Sequence, residues 1–235
     1  MKEQALDYVL VPIGLSLMVA YHAWLFYRIV TRPTTTVVGL NAINRIVWVR
    51  TMMENSSKNG VLSVQTLRNN IMASTLLAST AIMLSSVIAV LMTGTVGGRD
   101  GALKDDVYGN TSESWSSIKY FSILSCFLLA FLLNVQSIRY YSHASILINV
   151  PIGKAASKSR YLSEEYVAAA VNRGSYFWSL GLRSFYFACP LFLWMFGPIP
   201  MFMCCFVLVF VLYFLDVTSD FGDEWGSRGE VAGEV

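Results

Sequence analysis

Long apolar stretches dominate the pattern of this chain, and the clearest is the uncharged segment 70–94. A helix rises about 1.5 Å per residue, so this segment is long enough to cross a hydrocarbon core of about 30 Å. At 100° per residue its small residues fall on one face, where they let a second helix approach closely. The segment therefore predicts a transmembrane helix with a packing seam. That seam consists of Ser74, Ala78, Ala81, Ser85 and Ala89.

A neighbouring face of the same helix carries a stripe of hydroxyl side chains: Thr75, Ser79, Ser86 and Thr93. Such residues are common in membrane helices without a functional role, because their hydroxyl groups can bond to the carbonyl of residue i−4 in the same helix. In a ring of identical helices, the same hydroxyl groups would instead face water and solvate a passing cation. We predict that the stripe lines a pore, with a purely structural role as the alternative.

The apolar run 176–216 would reach roughly 60 Å as one helix, about twice the hydrocarbon thickness. The sequence Gly-Pro-Ile-Pro at 197–200 predicts a tight hairpin in it, because prolines cannot continue helical hydrogen bonding. We therefore predict an all-α, multi-span transmembrane helical bundle in one domain, residues 1–218, followed by an acidic tail, 219–235. The five predicted crossings are 8–30, 70–94, 118–138, 176–196 and 200–216.

Loop charges predict the orientation of the bundle. Basic residues outnumber acidic ones in the connections 31–69 and 139–175, so the positive-inside rule places both in the cytosol. The loop after residue 94 is acidic in balance and carries a glycosylation sequon at Asn110, which predicts the lumenal or extracellular side. The N-terminus then falls on the lumenal side and the tail on the cytosolic side.

Two short helices are expected in the cytosolic connections, and the third span is expected to continue past Arg139 to Pro151. One short helix would lie on the membrane surface within 37–60, with Ile43, Ile46 and Val47 on a shared face. The other would begin after Ser163, which can act as its N-cap, and would end at Gly174.

The predicted hairpin brings two opposite charges to similar depth. Arg183 lies about 21 Å before the turn and Asp216 about 24 Å after it, at the helical rise per residue. We predict an ion pair between them. The alternative is that Arg183 extends to the lipid headgroups while Asp216 lies in water.

Acidic residues on the predicted lumenal side could concentrate cations at a pore mouth. The candidates are Asp100, Asp105 and Asp106 in the loop, and Asp7 near the end of the first span. In a ring of identical copies each of these acids would be repeated once per copy. An acid near a helix N-terminus is equally explained by the helix dipole, so Asp7 retains a structural alternative.

Composition excludes several classes of function. Of 235 residues, 55% are hydrophobic and 14% charged, and the net charge of +2 is too small to indicate a nucleic-acid partner. The four cysteines lie in apolar stretches without a CxxC pair, so no metal site is assigned. Because the common catalytic and nucleotide-binding motifs are absent from the sequence, we predict that the protein is not an enzyme and uses no cofactor.

Three blocks carry a resemblance to a known family: YHAWLFYRI at 21–29, TRPTTTVVGLNAINRIVWV at 31–49, and FLWMFGPIPMF at 192–202. They resemble a plant family of small multi-span membrane proteins that is catalogued as a domain of unknown function. The resemblance extends to a plant immune protein that assembles as a pentamer around a pore. It implies a homopentameric calcium-permeable cation channel of the endoplasmic reticulum, with Ca²⁺ as the permeant ion, that serves root defence.

The alternative to a channel is a non-conducting membrane adaptor. Its basic connections would bind anionic lipid, and its acidic tail, 219–235, would bind a partner. Both hypotheses place the protein in contact with membrane lipid. Both also leave the plasma membrane as an alternative location, since the orientation rule is the same there.

Overall fold

The computed structural model describes residues 2–96, 113–150 and 163–218. These residues are almost entirely helical, which confirms the predicted all-α fold class. The six α-helices are α1 (Lys2–Thr31), α2 (Val37–Glu54), α3 (Ser56–Val96), α4 (Glu113–Leu147), α5 (Glu164–Leu193) and α6 (Pro198–Asp216), and a short 3-10 helix, Pro33–Thr35, joins α1 to α2.

Four of the helices contain stretches long and apolar enough to cross a membrane, which supports an integral membrane protein. They overlap four of the five predicted crossings. α5 is not among them, so the crossing at 176–196 stays a prediction. The four stretches are Leu6–Thr31, Lys58–Thr93, Trp115–Leu147 and Pro198–Asp216.

α4 packs between α3 and α5 at the centre of the described bundle. The seam that the sequence predicts on α3 is the surface that α4 covers: Ser74, Ala78, Ala81 and Ser85 are buried, whereas Ala89 is exposed. Small side chains let the helix backbones approach closely here.

A chain of hydrogen bonds crosses the three central helices. The hydroxyl of Ser137 on α4 donates to the carbonyl of Gly174 on α5 at 2.8 Å. Its oxygen lies 3.1 Å from Ser74 Oγ on α3, and Ser74 is the donor because the Ser137 proton is already used. Such bonds add to van der Waals packing where lipid tails offer no hydrophobic driving force.

Gly181 lies where α5 approaches α4 closely. A Cβ at this position would lie 2.5 Å from Nδ2 of the buried Asn134. Asn134 is fixed there because this nitrogen donates to the Ala130 carbonyl in its own helix at 2.8 Å. A larger residue at 181 would therefore force the two helices apart.

α5 begins as predicted but does not end where predicted. The Ser163 side chain accepts a hydrogen bond from the Tyr166 N–H, and Glu164 and Glu165 occupy the first turn, where acids suit the helix dipole. The predicted stop at Gly174 is wrong, because the helix continues to Leu193. Gly174 packs against the Tyr141 ring, so its small size serves helix contact rather than termination.

The predicted hairpin at 197–200 is displaced by a few residues. The chain turns at Trp194–Phe196, and Gly197 follows with φ 145°, a backbone conformation that favours glycine. Pro198 and Pro200 then lie in the first turn of α6. Prolines are tolerated there because the first N–H groups of a helix have no intrahelical acceptor.

α2 packs along α5 through a face other than the predicted apolar one. Gly39, Ala42, Val49 and Met53 are buried, while Ile43 and Val47 of the predicted face are exposed. Ala42 lies where α2 approaches α5, and the Asn172 amide of α5 donates to the Ala42 carbonyl at 3.2 Å. Gly39 instead lies against Pro33 in the corner before α2. Ile43 and Val47 are left free for other contacts, whereas Ile46, the third residue of the predicted face, is partly buried against the core.

The corner between α1 and α2 is tied to the end of α6. The Thr36 side chain caps α2 by accepting from the Gly39 N–H at 3.3 Å. The backbone N–H of Thr218 donates to the Thr35 carbonyl at 3.2 Å, and Thr36 pairs with Val217 in an isolated β-bridge. The corner therefore fixes where α2 starts relative to α6.

Arg183 on α5 and Asp216 at the end of α6 lie together. Arg183 Nη2 donates to Asp216 Oδ1 at 2.6 Å, and the side chains are only 14% and 10% exposed. The hydroxyl of Tyr21 on α1 donates to Asp216 Oδ2 at 2.8 Å. One carboxylate thus joins three helices through both of its oxygens.

Gly39→Ala tests the corner. The added methyl group would overlap the carbonyl and Cα of Pro33, which are backbone atoms and cannot rotate away. We expect the free energy of unfolding to fall by about 1–3 kcal/mol, the usual cost of overpacking. The measurement is thermal unfolding in detergent, followed by circular dichroism. Gly14→Ala is the matched control, because its methyl group would meet the side chain of Cys205 at 3.3 Å rather than backbone atoms, and we expect a smaller loss of stability. Equal losses in the two variants would contradict the prediction.

Asp216→Leu tests the ion pair. The substitution leaves the Arg183 guanidinium buried without its counter-charge, which typically costs about 3–5 kcal/mol. We expect the double variant Arg183→Met/Asp216→Leu to recover most of that loss, because no unpaired charge remains. Chemical unfolding in detergent measures both values. A double variant no more stable than Asp216→Leu would show that the two side chains are not coupled.

Candidate functional site

The hydroxyl stripe of α3 faces outward in the structure. Thr75, Ser79, Ser86 and Thr93 are all exposed. Three of them donate to carbonyls one turn back in the same helix: Thr75 to Ile71 at 2.9 Å, Ser86 to Ile82 at 3.0 Å and Thr93 to Ala89 at 3.2 Å. Each donated proton is satisfied, which leaves the lone pairs of the oxygen facing away from the backbone. Outward-facing oxygen lone pairs can solvate a cation.

Hydrogen bonding to the backbone does not by itself distinguish the stripe. Thr80, which lies about 100° around the helix from Ser79, makes the same kind of bond to the Leu76 carbonyl at 2.9 Å. What distinguishes the stripe is that its four hydroxyls share one exposed face. Thr80 therefore provides an internal comparison for any experiment on the stripe.

Most of the remaining surface of α3 is apolar and exposed. Leu76 and Val90 are each 69% exposed, and Met83 is 68% exposed. α3 packs mainly against α4, with a smaller contact to α2. One copy of the described chain therefore leaves two surfaces of α3 uncovered: the hydroxyl stripe and this apolar surface, which is called the apolar back here. The apolar back suits lipid, whereas the stripe suits water or a second protein surface.

Asp7, the predicted mouth acid on α1, lies inside the bundle and is 2% exposed. It accepts a hydrogen bond from Trp194 Nε1 at 3.0 Å. The Lys119 amine lies 5.4 Å from the centre of the Trp194 ring, and it interacts electrostatically with Asp7. This placement favours the structural alternative for Asp7.

The sequence did not predict the partners of Asp7, which are Trp194 and Lys119, or that Tyr21 joins the pair of Arg183 and Asp216. Lys119 near the start of an apolar span was the available signal for the Asp7 cluster, because a charge there requires a partner. Tyr21, which contacts Asp216, carried no comparable signal, since tyrosines at the end of a span are usual in membrane helices. Arg183 and Asp216 were themselves candidates, and the structure brings them together.

The other predicted mouth acids, Asp100, Asp105 and Asp106, lie outside the described residues. The same is true of the sequon at Asn110 and of the acidic tail, 219–235. Their assignment rests on the sequence alone.

Among the described residues, no group of three His, Cys, Asp or Glu side chains could hold a metal ion. His22 Nδ1 lies 2.7 Å from the Met18 carbonyl one turn earlier, and its ring packs 4.8 Å from that of Phe187. The described geometry thus places His22 in a packing role.

Comparison with known proteins gives one result. No curated protein and no solved structure matches the chain. A family model described as "Protein of unknown function, DUF599" matches residues 9–221, which is most of the chain. The chain therefore belongs to the DUF599 family.

Proposed function

We propose that this protein assembles as a homo-oligomer that forms a calcium-permeable cation channel, with α3 as the lining helix. The observation that carries the proposal is the exposed hydroxyl stripe on a helix whose main packing partner within the described chain is α4. Five crossings in one copy are too few to be expected to enclose an aqueous route, whereas a ring of copies can place α3 around a central axis. The stripe would then form stacked rings of oxygen atoms.

The neighbouring surfaces of α3 fit this arrangement. Its seam is occupied by α4, so the helix already has a fixed orientation relative to the bundle. The stripe lies on one side of that seam, and the exposed apolar residues Leu76, Met83 and Val90 lie on the other side of the stripe. If the stripe faces the axis, these apolar residues can contact the neighbouring copy or lipid without exposing charge.

The finer features of the proposal come from resemblance. The three sequence blocks resemble the family, and we further propose that the chain is similar to WeiTsing, a pentameric calcium-permeable channel of plant root immunity. That similarity supports a pentamer in the endoplasmic reticulum that raises cytosolic calcium in defence signalling. In a pentamer, the loop acids Asp100, Asp105 and Asp106 would each supply five charges near the lumenal mouth.

We also propose that α5 crosses the membrane, which gives five crossings. Gly181 of α5 lies against Asn134, and Gly174 lies against Tyr141, so α5 runs antiparallel to α4. These contacts place the apolar half of α5, from residue 176 onward, beside the middle of the candidate span of α4, Trp115–Leu147. Its charged residue there, Arg183, is paired with Asp216, which lowers the cost of burying it.

The adaptor alternative is favoured by one observation. Because Thr75, Ser86 and Thr93 already donate to their own helix, they can face lipid at small cost. In that case the stripe has no role in conduction, and the tail, 219–235, would carry the function. Removing the tail should then abolish function in an adaptor but should leave current in a channel.

The double variant Ser79→Leu/Ser86→Leu tests the proposed pore. Leucine replaces two rings of oxygen atoms with apolar side chains, which removes cation solvation and narrows the path. We expect calcium and potassium currents across a planar bilayer to fall at least tenfold relative to the unsubstituted protein. Size-exclusion chromatography should show an unchanged assembly.

Thr80→Leu is the matched control for this experiment, because it removes a hydroxyl from the same helix outside the stripe. Its current should stay within about twofold of the unsubstituted protein. Full current in the double variant would exclude α3 as the lining helix. Equal loss in Thr80→Leu would also contradict the assignment, since it would indicate general damage to α3.

A further inference from the structure

Two adjoining cavities lie beside α5, near the end of the bundle that holds Arg45 and Asp216. One, of about 180 Å³, opens between α2, α5 and α6. The other, of about 150 Å³, lies between α2, α3, α4 and α5. Arg45, Ser175 and Trp178 line both, so the two spaces meet at these side chains. Together they can hold a group the size of a phosphate; the larger space is called the α2–α5–α6 cavity below.

Two of the residues that line the α2–α5–α6 cavity each carry a hydrogen-bond donor that lacks an acceptor. Trp178 Nε1 and Arg183 Nη1 are buried, and neither has a partner within the part of the chain that the structure describes. Both residues line this cavity. Buried polar groups in native proteins almost always have a partner, so two orphan donors in one wall point to an acceptor that binds there.

The charge of the cavity wall favours an anion. The Arg45 guanidinium is held in place by its Nε, which donates to Asn172 Oδ1 at 2.7 Å. Burial lowers the pKa of Arg45, but an arginine pKa starts so far above neutrality that the group stays charged. The first residues of α2, Val37 and Val38, also line the cavity, so the positive end of that helix dipole faces it.

The acid in this wall does not cancel that positive charge. Asp216 is the one acidic residue among the described residues that line the α2–α5–α6 cavity. Its Oδ1 accepts from Arg183 and its Oδ2 accepts from Tyr21. Both oxygens are therefore directed toward protein donors, and the charge of Arg45 remains in excess.

The surroundings of the cavity indicate where the anion comes from. Leu212 and Leu215 of α6 line it, and α6 is one of the four candidate membrane spans. Leu215 and its neighbour Phe214 are strongly exposed on the outer surface. A phosphate in the cavity would therefore lie next to apolar surface that acyl chains can cover. Basic pockets between transmembrane helices bind anionic headgroups in this way.

We propose that the α2–α5–α6 cavity binds the phosphate group of an anionic membrane phospholipid. Trp178 Nε1, Arg183 Nη1 and the Arg45 guanidinium donate to the phosphate oxygens, and the acyl chains lie along the outer face of α6. The inference does not depend on ion conduction, because it concerns binding by a single copy of the chain.

Native mass spectrometry of the full-length protein tests the site. The protein is delipidated in detergent and then mixed with phosphatidic acid or phosphatidylcholine. We expect about one phosphatidic acid per chain to be retained, with phosphatidylcholine bound at least tenfold more weakly. Trp178→Phe, which removes the N–H donor and shortens the aromatic side chain, and Arg45→Gln should each weaken retention about tenfold.

Each variant has a matched control in the chain. Trp48→Phe changes a partly buried tryptophan of α2 that packs against the hydrophobic core, and Arg68→Gln removes an exposed arginine from α3. Neither residue lines the cavity, so both should bind as the unsubstituted protein does. Ser179→Leu gives an independent test, because it fills the cavity without touching a proposed donor and should also abolish retention.

Three outcomes would overturn the proposal. Equal weakening in Arg45→Gln and Arg68→Gln would indicate general attraction of lipid to basic surface. Displacement of phosphatidic acid by millimolar inorganic phosphate would assign the site to a soluble anion rather than a lipid. Equal retention of phosphatidylcholine and phosphatidic acid would show that no phosphate-selective site exists.

Discussion

Close contact among α3, α4 and α5 is the interaction on which the rest of this structure depends. Lipid tails are as apolar as leucine, so helices in a membrane are held by tight packing and interhelical hydrogen bonds. Here the contact runs through Ser74, Ser137 and Gly174, and through Gly181 against Asn134. It encloses α4 on two sides but covers only one face of α3. That asymmetry leaves the hydroxyl stripe and the apolar residues of α3 available to a second copy.

Buried polar groups fix the remaining helices around this centre. Asp7 near one end of α1 is bonded to Trp194 in the turn after α5, and Tyr21 further along α1 is bonded to Asp216 of α6. Acids at membrane depth are expensive unless they are paired, and both of these acids have donors within the bundle. They act as attachments between helices rather than as cation ligands. The candidate cation-solvating groups of the described chain are therefore the neutral hydroxyls of α3.

The sequence predicted the features that depend on one helix at a time. Apolar length gave the candidate spans, and 100° periodicity separated the α3 seam from the hydroxyl stripe. Ser163 was recognisable as a cap because capping depends on local chemistry. Glycine and proline were less informative, since Gly174 could end a helix or pack against one, and Pro198 could form a turn or begin a helix.

Features that depend on which helices are neighbours could not be predicted in this way. Nothing in residues 8–30 indicates that Tyr21 meets a carboxylate almost two hundred positions away. The face of α2 that packs on α5 was obscured because Ile43 and Val47 are more apolar than the small Ala42, which meets Asn172 of α5. Close packing selects for small size, which hydropathy does not measure. The assembly of copies depends on exposed surface, which requires the folded chain.

The most direct test of the central claim is the accessibility of α3 to water in an intact membrane. Ser79→Cys and Thr80→Cys would each be treated with a charged, membrane-impermeant methanethiosulfonate reagent, with the unsubstituted protein as the background for its four native cysteines. If the stripe lines an aqueous pore, Ser79→Cys reacts at least tenfold faster than Thr80→Cys. Equal, background-level reactivity of the two would place the stripe against lipid or protein and would contradict the account.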